Sequence, residues 1–279
     1  MSKFWNWTRE DWTLAVAILA LVLPWIVGLY KRLFRSGTVD IYETGMLEIG
    51  YSGLGATIGV MGTLRSRDRD MFIQRVFLTV TSPTGGAPQK FEWTAFRTTK
   101  TVLGQTGTII GQVGQTGEVS VDVPASFMIS AIQPHRYNII FSDSTLFQQM
   151  QSMLQNLVRS WRPFVQANVG EIGGATDPQT QRKLLQVVNR AYDKFSNTPE
   201  YVAALAEIER LFFWIPGVYK LTIHIDTARP SRHYSKTWAF TLSELDVNNL
   251  KQNYSAILDE VCGLPLSTGQ YNFVYAPYS

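Results

Sequence analysis

The side chains best suited to metal or proton chemistry are few in this chain. It has 279 residues, with three histidines and one cysteine. His224 and Asp226 sit two apart in the run VYKLTIHID, and residues two apart on a strand share a face. His233 follows across a turn at Arg229-Pro230-Ser231. These three could together hold one divalent ion. As ordinary sheet residues they would instead form the polar outer face at a hairpin end. His135, between Pro134 and Arg136, reads as an exposed turn residue. Cys262, among Val261 and Leu264 near a helix end, reads as a small core residue. Zinc chemistry calls for H-E-x-x-H or paired cysteines, and the sequence has neither.

Nucleophilic and phosphate chemistry find no better footing. A nucleophile elbow needs G-x-S-x-G between a strand and a helix. Gly50-Tyr51-Ser52-Gly53 is a shortened echo of it. Glycines from Gly53 to Gly59 resemble a phosphate cradle, but Val60 to Arg65 and a turn follow them, not a helix start. The expectation there is a bent strand pair. No carboxylate pair stands on an apolar background, so general acid–base work has no named residue. The expectation is no catalytic residue, no cofactor and no resident metal.

The elements that must carry these residues begin with one apolar stretch. Trp12 to Tyr30, WTLAVAILALVLPWIVGLY, is 19 residues without a charge. At about 1.5 Å per residue its helix is about 28 Å long, near the roughly 30 Å of a bilayer's hydrocarbon core. Trp12, Trp25 and Tyr30 suit the interfaces, and Lys31, Arg32 and Arg35 follow at once. The run ends without a small-residue cleavage site, which predicts an uncleaved single-pass anchor in the lipid bilayer. Lys3 and Arg9 precede it against three basic residues after it, so the N-terminus is expected outside and the bulk of the chain in the cytoplasm. A single cysteine excludes an internal disulfide. The Asn6-Trp7-Thr8 and Asn253-Tyr254-Ser255 glycosylation patterns read as chance matches.

Beyond the anchor, two strands are expected between Tyr42 and Arg65, a strong strand from Met71 to Ser82 and another from Lys90 to Thr98. Residues 103–117 are rich in Gly, Gln and Thr and read as a loop or loose hairpin. Strands at Val119–Val123 and Arg136–Phe141 precede an amphipathic helix from Ser144 to Phe164. Its stripe, including Met150, Met153, Leu157 and Trp161, is core by default. The same stripe is also the candidate surface for a protein partner. Helices are expected from Pro178 to Phe195 and from Thr198 to about Phe213. Strands follow at Val218–Asp226 and Tyr234–Leu242, then one helix behind a capping box at Ser243-Glu244-Leu245-Asp246, then an edge strand in Tyr271–Tyr278.

The expected fold class is α+β: an N-terminal single transmembrane helix, then an antiparallel β-sandwich-like domain with a helical insertion. The expected divisions are 1–35 (tail and anchor), 36–143 (β-rich), 144–213 (helical insertion) and 214–279 (hairpin, helix and last strand). Net charge of +3 is too mild for a nucleic-acid partner. Three functions remain open. The first is a membrane-anchored binding or scaffolding protein that docks a protein partner or forms homo-oligomers. The second is a tethered sensor of a small ligand, with loops 50–59 and 104–117 as lids and an anchor able to oligomerise. The third is an enzyme with an unfamiliar site.

Overall fold

Burial alternates along the strands with period two, and that alternation shapes the molecule. The computed structural model describes residues 9–34, 37–98, 101–103, 109–112, 120–169, 178–228, 231–264 and 271–278. In chain order the strands are β1 (Thr38–Ser52), β2 (Gly55–Arg67), β3 (Met71–Thr81), β4 (Gln89–Thr98), β5 (Thr101–Leu103), β6 (Ile109–Gln112), β7 (Ser120–Asp122), β8 (Phe127–Ile129), β9 (His135–Asp143), β10 (Gly217–Ala228), β11 (Ser231–Leu242) and β12 (Val274–Pro277). The helices are α1 (Arg9–Phe34), α2 (Ser144–Val169), α3 (Pro178–Phe195), α4 (Pro199–Arg210), α5 (Glu244–Lys251) and α6 (Asn253–Val261).

Ten strands form one antiparallel sheet in the order β11-β10-β3-β4-β9-β2-β1-β12, with β7 beside β4 and β8 beside β3. β5 and β6 pair separately. Leu47, Ile49 and Tyr51 of β1, Ile58 and Val60 of β2, Leu78 and Val80 of β3, and Leu221, Ile223 and Ile225 of β10 all turn inward and are buried. The sheet curls until its edges meet. Tyr234 Oη of β11 donates to the Gly37 carbonyl at 2.7 Å, and Lys236 Nζ donates to the Ile41 carbonyl at 3.0 Å. Trp238 and Tyr278 lie ring to ring at 5.3 Å. The fold is therefore α+β with one curled sheet, where a two-sheet sandwich was expected. Alternation alone cannot distinguish these, because both bury every second residue.

Helices α2 to α4 lie between β9 and β10 in sequence, yet β10 pairs with β3, so the strands before and after them share the sheet. The helices close one end of the curl. Trp214 Nε1 donates to the Gly50 carbonyl at 2.9 Å, Tyr51 Oη to Ile208 O at 2.7 Å, and Trp161 Nε1 to Cys262 O at 2.9 Å. The opposite end holds the start of β1, the β2–β3 turn and the β8–β9 connection.

Several boundaries differ from expectation: β1 opens earlier at Thr38, β8 was not foreseen, α2 runs on to Val169, α4 stops at Arg210, and the helix after Ser243 is two helices meeting at Gln252. The capping box itself forms, with Asp246 N donating to Ser243 Oγ at 3.2 Å and Ser243 N to Asp246 Oδ2 at 2.8 Å. Helix α1 contains Trp12–Tyr30, is long and apolar enough to cross a membrane, and buries none of that stretch against the rest of the chain. Trp12, Trp25 and Tyr30 are exposed. The expectation for Lys31, Arg32 and Arg35 falls outside the described side chains.

Candidate functional site

The β10–β11 ladder pairs Asp226 with His233 and His224 with Ser235, which brings the three expected ligand residues together. Their geometry is a hydrogen-bond chain. His233 Nδ1 lies 2.7 Å from Asp226 Oδ1, His233 Nε2 lies 3.1 Å from His224 Nδ1, and His224 Nε2 lies 2.9 Å from Thr79 Oγ1. One proton arrangement satisfies every link. A carboxylate only accepts, so His233 Nδ1–H donates to Asp226. His233 Nε2 then accepts from His224 Nδ1–H, and His224 Nε2 accepts from the Thr79 hydroxyl. Each ring nitrogen already has a partner, so no lone pairs converge on a common point as a tetrahedral ion requires. Among the described residues, no group of three or more His, Cys, Asp or Glu is arranged to hold a metal ion. His224 stacks on Phe77 with centroids 4.6 Å apart. Burial, and then His233, hold its pKa below the ordinary imidazole value.

Met150, Leu157 and Trp161 are buried and Met153 is half-buried, all packed into the core. The stripe is mostly interior, with Met153 and Leu157 lining a shallow groove between α2 and α4. Helix α2 stands where it does because Asp143 caps it, its Oδ1 accepting from Thr145 N and Leu146 N, both at 2.8 Å. His135 opens β9 half-buried against Phe127 and is not a free turn residue. Cys262 is buried, and burial pushes its thiol up to about 12.

One concavity was only partly visible in sequence. A cavity of about 710 Å³ lies between the outer face of β1, β2 and β9 and the helices α2 and α6. That volume sits within the roughly 300–1,000 Å³ usual for small-ligand sites. Register builds its floor. Glu48 pairs with Gly59, and Gly59 pairs with Ile140, so the three stand side by side facing out. Glu48 is 7% exposed, and Tyr275 Oη approaches its Oε2 at 3.4 Å.

Leu54, Leu154, Val158, Val261 and Phe273 make apolar walls, and Arg159 and Arg162 project from α2. Gln151 Nε2 donates to the Gly53 carbonyl at 3.0 Å and ties α2 to the β1–β2 turn. Tyr271 Oη donates to Glu260 at the far wall. Gly50 is required here: a Cβ would meet Thr57 Oγ1 at 2.5 Å and the Phe273 ring at 2.9 Å. The glycine-rich segment 50–59 is thus a strand pair, as its sequence indicates, and it also lines the cavity. Of the other expected lid, 104–117, only residues 109–112 are described.

Compared with known protein families, curated proteins and solved structures, the chain matches none.

Proposed function

We propose that this chain is a single-pass membrane-anchored binding protein, non-enzymatic, whose cytoplasmic body holds a small amphiphilic ligand between β1–β2 and α2–α6. The observation that carries this reading is the cavity of about 710 Å³ with a buried carboxylate on its floor. A buried carboxylate favours a partner that donates hydrogen bonds or carries positive charge. The apolar walls favour a hydrocarbon or aromatic body, and Arg159 and Arg162 favour an anionic second group. Helix α1 supports the anchor by length and composition. Three basic residues after it, against two before, support the N-terminus lying outside.

The test is a thermal-shift screen of the full chain in detergent with zwitterionic and cationic amphiphiles. A ligand that binds only the folded state raises the melting temperature. At least one compound should raise it for the wild type and fail to do so for Glu48→Gln. Unchanged melting across the set, or equal shifts in both proteins, would overturn the site.

A second reading, docking of a protein partner or of its own copies, is favoured by exposed Tyr42, Met46 and Tyr275 on β1 and β12. Light scattering on the same detergent sample tests it, and a strictly monomeric, partner-free species counts against it.

A further inference from the structure

Resting on the reading of α1 as a membrane span, we propose that the uncapped end of the curled sheet lies against an anionic bilayer surface, with Ile132 in the headgroup layer and Arg65, Arg67 and Arg136 facing its phosphates.

Connectivity sets the distance. Helix α1 ends at Phe34 and β1 opens at Thr38. Four steps of about 3.8 Å allow at most about 15 Å between those two Cα atoms. Thr38 pairs with Arg67, which leads into the β2–β3 turn. That turn is tied to the β8–β9 connection, because Asp70 Oδ1 accepts from Ala131 N at 2.8 Å. Ile132 is the next residue and is 87% exposed. Phe72 and Met128 pair across β3 and β8 at the same end, and both are exposed. Single exposed apolar side chains are ordinary on a protein surface. Three of them, Phe72, Met128 and Ile132, stand at the end the chain itself holds beside the span, and they form a surface of the right kind for an interface.

The charge is also of the right sign. Arg65, Arg67 and Arg136 are exposed near this end, and basic side chains are drawn to anionic headgroups. Of the nearby acids, Asp70 accepts from the Ala131 amide, Asp40 pairs with Arg67, and Asp68 is exposed in the β2–β3 turn, so Arg65 and Arg136 carry most of the attraction. An apolar tip ringed by basic residues is the pattern that settles at the headgroup–acyl boundary.

The experiment places an environment-sensitive fluorophore on the full chain at Ile132→Cys. A separate chain carries it at Leu245→Cys on α5, an exposed position at the capped end. The native Cys262 is buried, so the engineered thiol takes the label in the folded protein. Each chain is reconstituted into vesicles of phosphatidylcholine with phosphatidylserine. Flotation reads the span, and the fluorophore reads the contact.

The expected result is that both chains float. Emission at 132 should be blue-shifted and several-fold better quenched by a shallow spin-labelled lipid than emission at 245. Floating chains whose 132 label is quenched by aqueous iodide as readily as the 245 label would overturn the contact while leaving the span intact. Chains that fail to float would overturn the span and the contact with it. In phosphatidylcholine alone the 132 shift should shrink. An unchanged shift would overturn the part assigned to the arginines.

Discussion

At residue scale, His224 already uses both ring nitrogens, Nδ1 toward His233 and Nε2 toward the Thr79 hydroxyl. Burial first, and then His233, depress the His224 pKa, with Lys90 adding in the same sense and Asp226 opposing. The unfolded chain therefore binds more protons than the folded one just below pH 6.5. The stabilisation is complete above that pH and is lost as pH falls from there through the depressed folded value. Burial depresses His135 too, so it adds to the same trend. Melting temperature should fall between pH 7 and pH 5, and His224→Gln should reduce that slope without removing it. An identical slope in the variant would refute the assignment.

At element scale, caps and backbone anchors decide where helices begin and break. Asp143 supplies the first amides of α2 with a buried acceptor. Asp143→Ala should cost about 1–2 kcal/mol, as caps of this kind do. It should also loosen the cavity wall, because α2 carries Gln151, Leu154 and Val158 there. Urea unfolding followed by tryptophan fluorescence measures the loss, and a change under about 0.3 kcal/mol would be too small for a cap.

The break between α5 and α6 follows from Asn253. Its side chain donates to Tyr51 O at 2.9 Å and to Asn272 O at 2.8 Å, and accepts from Asn272 N at 2.8 Å. These bonds join α6 to β1 and to the segment before β12. Helical spacing from Val247 to Val261 was legible as one helix. The break was not, because its cause lies in partners 202 and 19 residues away. The same burial leaves Asn253 at 1% exposure, in keeping with a chance glycosylation match.

At the scale of the whole molecule, side chains close the sheet where, among the described residues, no backbone ladder joins its edges. Lys236 Nζ reaches Glu43 Oε2 at 2.5 Å as well as the Ile41 carbonyl. Lys236→Met should destabilise by about 1–3 kcal/mol, since it leaves a carboxylate and a carbonyl without that donor. Adding Glu43→Leu should recover part of the loss, because replacing both ends of an ion pair costs less than removing one. Denaturant midpoints of the single and double variants check this, and a double variant no more stable than the single would count against a paired seam. The seam also orients the molecule. β1 runs from the end beside α1 to the helix-capped end, and Glu48 stands ten residues beyond Thr38. At about 3.3 Å per residue the cavity floor is roughly 30 Å along the strand from Thr38.

Local pattern was enough for the apolar helix, for most strands and helices, and for the caps at Ser243 and Thr198, because each depends on neighbours within a few residues. It was also enough to mark His224, Asp226 and His233 as residues that would meet, since hairpin pairing follows from a short turn. Curling of the sheet and the cavity beneath α2 and α6 depend on register between strands far apart in the chain. Glu48 shows this most clearly. In sequence it is one polar residue in an alternating strand, and only the packing of two helices and Phe273 over that face turns it into a floor.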